Sequence, residues 1–360
     1  MKEITNLTQL GWNHFFQQQL VEEDPSHKPA RVVRQDMNQY HLLSDEGRLT
    51  GVIPGRVRQA ALSKADLPTV GDWVTYSPIE GGEAGSVQIE KCLERKSKFS
   101  RKEAGEVVDE QIVASNIDTV FIVSGLDDDF NPNRIERYLL LSWDSGAIPV
   151  IVLNKADLCH KLEERLVELE SIAMDAPIHV MSAIDKEGTE SLLDYVKPGT
   201  TCAFMGSSGV GKSTLINLLL GYERFETGAV REDDGKGRHT TTFRELVLME
   251  SGAMIIDTPG MREIQVWADS AALSQTFDDI EEIALQCKFN DCQHDQEPGC
   301  AITRAVSDGT LDSERLERYE KLKREVEHFE SQQTAAARAA KKEERKRFSK
   351  MVRRLPNKRN

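Results

Sequence analysis

The chain has no apolar run long enough to cross a bilayer. Its longest apolar stretches, "TVFIVSGL" and "AIPVIVL", are strand-sized, well short of the roughly 20 residues a membrane helix needs. The N-terminus, "MKEITNLTQLGWNHFF", lacks an apolar core followed by a small-residue cleavage site, so it does not read as a secretory signal. Six cysteines in 360 residues are too few for a disulfide scaffold. A cytoplasmic setting is expected, where a tight cysteine cluster more often holds metal. Positive charge is in deficit, with 46 Lys and Arg against 60 Asp and Glu and a formal net charge of −14. That balance keeps the chain soluble and excludes uniform attraction to nucleic acid. Internal repeats are also lacking. One segment goes against the average: Arg338 to Arg359 holds eleven Lys or Arg and only two acids, Glu343 and Glu344. A basic tail on an acidic body points to a local contact with phosphate or another acidic surface.

The pattern along the chain changes several times. Residues 1–28 are polar, end in "EDPSHKP", and are expected to form a partly disordered extension. Residues 29–97 alternate in short stretches such as "ARVVRQ", "LTGVIP" and "DWVTYSP", with Gly, Pro and Asp turns between them. That spacing predicts a small antiparallel barrel. Residues 98–112, with "KSKFSRKEAGE", are charged and read as a linker. From 113 to 268, apolar strand-like runs alternate with helix patterns, which predicts a mostly parallel, doubly wound α/β sheet. Residues 269–332 read as helical around a Cys/His cluster, with Leu316, Tyr319, Leu322, Val326 and Phe329 on one helix face. The basic tail occupies 333–360.

The α/β region carries the chemistry. Gly206, Ser207, Ser208, Gly209, Val210, Gly211, Lys212 and Ser213 fit the eight-position phosphate-loop pattern, and Thr214 follows. The match lies between a predicted strand and a predicted helix, the context the motif requires. Glycines let backbone N–H groups converge on phosphate oxygens, and the helix N-terminus adds favourable partial charge. Lys212 is expected to reach the β and γ phosphates, and Ser213 to ligate Mg²⁺. Asn154, Lys155 and Asp157 in "NKAD" form a base-reading phrase. The Asp157 carboxylate can accept both guanine N–H donors, a pairing adenine cannot supply. Lys155 is placed to lie over the ring, and Asn154 to support the loop. Ser182 and Ala183 suit a backbone N–H contact to guanine O6. Asp257 and Gly260 in "DTPG" fit a water-mediated Mg²⁺ contact and a γ-phosphate sensor.

The order of these phrases is unusual for a GTPase: the base motif precedes the phosphate loop, and "DTPG" follows both. A circular permutation of the domain accounts for it, because surface termini can be rejoined without disturbing the pocket. The stretch "ETGAVREDDGKGRHTTTFREL" reads as a mobile loop supplying a switch threonine for Mg²⁺, Thr240 or Thr241, with Thr241 slightly favoured. Met261 follows Gly260 where many small GTPases place a water-orienting Gln. His239 is the nearest substitute, against the simpler reading of a solvated loop histidine. Cys287, Cys292, His294 and Cys300 supply three thiolates and an imidazole, a full tetrahedral set for structural Zn²⁺ with no open position.

Taken together, "VGDWV", "VASNIDTVFIV", "NKADL", "GSSGVGKSTLIN", "GRHTTT", "DTPGMRE" and "CKFNDCQH…EPGCA" resemble the circularly permuted, small-subunit-dependent GTPase A family of bacteria, RsgA. The resemblance runs from about Arg31 to the C-terminus. It implies an OB-fold barrel, a permuted P-loop GTPase domain and a helical zinc domain. It further implies GTP hydrolysis stimulated by the small ribosomal subunit, late in maturation, with rRNA binding in the GTP state and release on hydrolysis. His239 matches the family's proposed catalytic histidine. A monomer suits this use. Two other readings remain open from the residues: an RNA-binding assembly module for which nucleotide is mainly a ligand, and a GTPase serving another RNA or protein.

Overall fold

The computed structural model spans the 360-residue chain and describes residues 6–21, 23–36, 39–61, 63–102, 110–173, 175–225, 245–257, 273–274, 277–289, 292–294, 297–313, 315–324 and 326–327. Two compact units are formed, Met1–Arg101 with Glu110–Gln265, and Lys102–Asp109 with Val266–Asn360.

In the first unit, a short 3₁₀ turn (Leu7–Leu10) is capped by the Asn6 side chain and closed by Gly11 at φ +86°. Helix α1 (His14–Gln18) follows, capped by Asn13. Leu10 and Phe16 are buried, and Trp12 meets Trp73 edge-on with ring centroids 4.7 Å apart. The expectation of a partly disordered extension is therefore corrected for residues 6–21. Three apolar side chains in an otherwise polar segment suffice to fold it onto an aromatic partner.

Strands β1 (Lys28–Gln35), β2 (Tyr40–Ser44), β3 (Gly47–Val52), β4 (Trp73–Pro78) and β5 (Ser86–Cys92) follow, with helix α2 (Gly55–Ala60) between β3 and β4. They pair β1–β2–β3–β5–β4 and close through β4–β1, which makes a five-stranded barrel. Alternate residues Ala30, Val32, Leu42, Tyr40, Val74, Tyr76, Val87 and Ile89 fill it, as the period of two in the sequence requires. The segment read as a linker, 98–112, holds strand β6 (Lys98–Lys102) and the first half of β7 (Glu110–Ser115), and the two strands pair with each other. Phe99, Ile112 and Val113 are buried there, apolar positions that a charge-dominated reading passes over.

The α/β sheet contains β8 (Thr119–Gly125), β9 (Ile148–Asn154), β10 (Ile178–Val180), β11 (Thr201–Met205), β12 (Glu245–Leu248) and β13 (Met254–Asp257), in the order β10-β9-β8-β11-β13-β12. All neighbours are parallel except β12, which runs antiparallel to β13. Helices α3 (Pro132–Ser145), α4 (Leu162–Ala173) and α5 (Lys212–Leu220) connect them. Asn131 caps α3 and Gly146 ends it at φ +83°, the expected start and stop chemistry. Strand β12 was not foreseen; "ELVL" sits at the end of the charged loop and is only four residues long.

The barrel and this sheet are continuous, because β1 pairs with β12 at Arg34↔Glu245. Arg31 reinforces the join. It is 1% exposed, and its guanidinium donates to the carbonyls of Leu10, Gly71 and Asn116 while lying over the Trp73 ring. Burial lowers its pKa to about 10, so it remains charged at neutral pH.

The second unit contains α6 (Asp278–Ala284), α7 (Ala301–Asp308) and helical residues over 315–324. Tyr319, Leu322 and Val326 are buried and Leu316 is half-buried, in line with the predicted apolar face. Phe329 and the basic tail lie outside the described residues. Tyr319 packs on Phe277 and donates to Glu281 at 2.7 Å, and Arg315 pairs with Asp279 at 2.7 Å.

Candidate nucleotide site and metal centre

Strands β8, β9 and β11 are parallel neighbours, so their carboxyl ends lie on one side of the sheet. Ligands bind at that edge in doubly wound sheets. The phosphate loop leaves β11 at Gly206 and enters α5 at Lys212. Gly206 has φ +146°, and a Cβ there would sit 2.2 Å from the Val123 carbonyl oxygen. Only glycine permits this approach of loop to strand. The α5 N-terminus has no side-chain cap, and Gly211 precedes it at φ +97°, which leaves its first amides available to an anion. Lys212 is 6% exposed, with its ammonium donating to the carbonyl of Gly206 at 2.8 Å and to that of Ser207. Val210 packs into the core, whereas Ser208 and Gly209 are exposed. Ser213 and Thr214 lie half-buried in the first turn of α5.

Asn154 ends β9, is 3% exposed, and ties three segments together. Its Nδ2 donates to the Val210 carbonyl at 2.8 Å, and its Oδ1 accepts from the Ala183 amide at 2.9 Å. Its own carbonyl accepts from the Leu126 amide at 2.8 Å. A Cβ on Gly211 would fall 2.2 Å from Nδ2, so this contact demands glycine. The base phrase, the phosphate loop and the Ser182–Ala183 turn are therefore one assembly, although about fifty residues separate the first two in the chain.

Lys155 follows in the left-handed region at φ +65°, which is uncommon for a residue with a side chain. Its ammonium pairs with Asp127 at 2.6 Å. Asp157 is exposed in a 3₁₀ turn, Ala156–Leu158. The two amides expected to meet guanine O6 are engaged, Ser182 with the Glu187 carbonyl at 3.1 Å and Ala183 with Asn154. The Ser182 hydroxyl holds its turn through Asp185 at 3.0 Å.

Two acids that motif reading does not single out also belong here. Asp127 and Asp129 lie in the loop after β8. Ser207 donates to Asp129, which also pairs with Arg134 at 2.8 Å. Partial burial pushes the Asp127 carboxyl up, but the Lys155 ammonium and the Asp129 amide outweigh it, so its pKa is lowered. The available signal was an acidic run, "DDD", directly after an apolar strand at the ligand-binding edge. Asp257 ends β13 as expected. Its side chain, together with His239, Thr240, Thr241, Gly260 and Met261, lies outside the described residues.

In the second unit, the ligand atoms of Cys287, Cys292, His294 and Cys300 all lie within 4.8 Å of one another. His294 Nδ1 is 3.5 Å from the Cys300 sulfur and 3.7 Å from that of Cys287, and those two sulfurs are 4.0 Å apart. A zinc tetrahedron spaces sulfur from sulfur by about 3.8 Å and sulfur from nitrogen by about 3.5 Å, so the cluster fits that ion. Backbone amides of Ala301 and Thr303 point at the Cys287 and Cys300 sulfurs, at 3.3 and 3.4 Å, supporting thiolate charge. Burial alone would raise the Cys300 pKa; donation from Thr303 and contact with His294 reverse this and lower it to about 6.

Comparison with known proteins agrees with this geometry. The family model described as RsgA GTPase matches residues 92–267. A second, described as 50S ribosome-binding GTPase, matches 201–336; it begins at β11, from which point the permuted chain runs in the ordinary order. "Small ribosomal subunit biogenesis GTPase RsgA 2" of Vibrio vulnificus is 46% identical over 89% of this chain and 87% of its own. "Small ribosomal subunit biogenesis GTPase RsgA" of Syntrophotalea carbinolica is 43% identical over 95% of both. Where the second family description names the large subunit, these near full-length relatives outweigh it. Among solved structures, YjeQ from Thermotoga maritima aligns with TM-score 0.62 at 29% identity, covering 83% of this chain and 98% of its own. YloQ, described as a circularly permuted GTPase, aligns at 0.59 and 23% identity over 85% and 97%, and supports the fold. With the permuted motif order, the closed barrel and relatives this close over nearly all its length, the chain belongs to the RsgA GTPase family.

Proposed function

We infer that this GTPase of small-subunit biogenesis acts as a timing switch, binding rRNA of the small ribosomal subunit in its GTP state and leaving on hydrolysis. The observation that carries the reading is Asn154, whose one side chain hydrogen-bonds both the phosphate loop and the Ala183 turn. The three phrases thereby form a single pocket. In it, Asp157 accepts the guanine N1 and exocyclic N–H donors, Lys155 covers the ring, and the Ala183 amide is shared between Asn154 and guanine O6. Amides of Gly206 to Thr214 receive the phosphates, with Lys212 turning from its loop carbonyls toward the β and γ oxygens. Mg²⁺ bound with the nucleotide would neutralise phosphate charge; Ser213, Thr241 and, through water, Asp257 would hold it. Gly260 senses the γ-phosphate, and His239 orients the attacking water. Zn²⁺ at Cys287, Cys292, His294 and Cys300 is structural, because four protein donors leave no open position. The protein works as a cytoplasmic monomer, where ribosomes are assembled.

The test is steady-state phosphate release from GTP with and without purified small subunits, with Lys212→Ala as the blank. Strong stimulation that vanishes in the blank is the expected result. Basal turnover without stimulation would reject the small subunit as the trigger and favour another RNA or protein. Met261 in place of a water-orienting Gln favours one alternative, a module in which nucleotide is only a ligand. Absence of multiple turnover under both conditions would establish that alternative.

A further inference from the structure

The loop joining β8 to α3 runs from Leu126 to Asn131 and carries three consecutive acids, Asp127, Asp128 and Asp129. It is fastened on every side. The Leu126 amide donates to the Asn154 carbonyl at 2.8 Å. Arg165 of α4 donates to the carbonyls of Leu126 and Asp127 and stacks on Phe130, its guanidinium 5.0 Å from the ring centroid. Arg134 of α3 pairs with Asp129, and Asn131 caps that helix. Gly125 makes room for the loop to fold back, because a Cβ there would meet Asp127 Oδ1 at 2.4 Å. A loop held this firmly aims its carboxylates. Asp127 reaches the Lys155 ammonium at 2.6 Å with both groups about three-quarters buried, and Asp129 accepts from the Ser207 hydroxyl of the phosphate loop.

We propose that Asp127 and Asp129 are positioning residues for the two ends of the bound nucleotide, Asp127 acting through Lys155 on the base and Asp129 acting through Ser207 on the phosphates. This rests on the guanine-nucleotide reading of the pocket. Lysine carries its charge on a flexible four-carbon stem, and Lys155 starts from an uncommon left-handed backbone. An ammonium anchored beyond the pocket stretches the stem into a flat apolar wall, which is the part a purine ring contacts. The ion pair therefore persists with nucleotide in place. At the other end, the phosphate loop must keep its amides convergent, and a carboxylate gripping Ser207 fixes the loop at its first turn. Arg134 holds that carboxylate in turn. One rigid loop thus sets the distance between the base-reading and phosphate-reading elements.

The experiment measures GDP, GMP and ADP affinities of the full-length protein by calorimetry, alongside thermal midpoints. Asp127→Asn should weaken GDP and GMP by a similar factor, roughly 5–20-fold, as expected for loss of one charge-assisted contact. Asp127→Glu, which keeps the charge, should recover part of that loss. Asp129→Asn should weaken GDP by roughly as much while leaving GMP within about twofold, because its lever is on the outer phosphate. GDP affinity within twofold of wild type for both variants would overturn the proposal. So would equal losses of GDP and GMP in both variants with lowered midpoints, which would mark the loop as a support of the fold alone. A wild-type protein that binds ADP as well as GDP would instead refute the guanine reading itself, so the two failures are distinguishable.

Discussion

Replacing Asn154 by Ala removes the side chain that joins the phosphate loop to the Ala183 turn. Asn154 is 3% exposed, and its amide serves the Val210 carbonyl at 2.8 Å and the Ala183 amide at 2.9 Å. Truncation leaves an acceptor and a donor without partners, each worth about 1–3 kcal/mol when buried. Both bonds are buried, and with each group at the lower half of that range the sum falls at about 2–4 kcal/mol. For a unit of this size that corresponds to a fall in thermal midpoint of about 5–15 °C. GDP affinity should drop at least tenfold, since loop and base phrase no longer share a support. Asn154→Asp makes a sharper control. It conserves shape but sets a carboxylate oxygen against the Val210 carbonyl, so it should be no better than alanine. The assay is thermal unfolding of nucleotide-free protein paired with GDP titration. A midpoint within about 2 °C of wild type, together with unchanged GDP binding, would show that core packing of Val210 holds the loop and that the hydrogen bonds do not.

The same close contacts set the outcome of three further substitutions. Gly211→Ala places a Cβ 2.2 Å from Asn154 Nδ2 at a backbone φ of +97°, so GDP titration should show binding lost while far-UV circular dichroism stays near wild type; normal binding would contradict the close approach. Cys300→Ser should reduce zinc from one per chain to a small fraction by metal analysis, and should abolish the unfolding transition of the second unit; full zinc retention would remove Cys300 from the ligand set. Arg31→Met leaves the carbonyls of Leu10 and Asn116 without the guanidinium, while that of Gly71 keeps the Asn116 side-chain amide at 3.0 Å, and should cost about 2–4 kcal/mol in urea unfolding; a loss below about 1 kcal/mol would mean that water replaces the guanidinium.

Legibility of this chain followed the strength of local patterns. The phosphate loop, "NKAD" and the parallel strands were readable because each phrase has a required context, and β11, α5 and β9 supply it. The cysteine set was readable because ligand type and spacing are chemically narrow. Tertiary contacts were harder. Leu10, Trp12 and Phe16 sit in a polar stretch, and their partner Trp73 lies some sixty residues away, so nothing local marks them as packed. The pairing of β6 with β7 was hidden because charged residues dominate the stretch of sequence that holds the buried Phe99 and Ile112. Asp127 and Asp129 were passed over for a related reason. An acidic run usually reads as a solvated turn, and only the fold brings Lys155 and Ser207 to it.

The permutation itself follows from where the contacts lie. The pocket is defined by the carboxyl ends of β8, β9 and β11, which are adjacent in the sheet whatever their order along the chain. Asn154, Asp127 and Asp129 tie those ends together by side-chain bonds that span 56, 28 and 78 residues. None of these bonds depends on which segment is made first, so cutting and rejoining the chain elsewhere leaves them intact. What the rearrangement changes is the path out of the site. Asp257 closes β13, and the second unit resumes at Val266, nine residues later by difference. In the ordinary order this segment would lead back into the same domain. Here it leads to the Cys/His unit, so in the proposed switch a displacement sensed at the γ-phosphate would pass along the chain to that unit. In the proposed switch, hydrolysis alters the tether of the Cys/His unit, while the barrel stays joined to the sheet through β1 and β12.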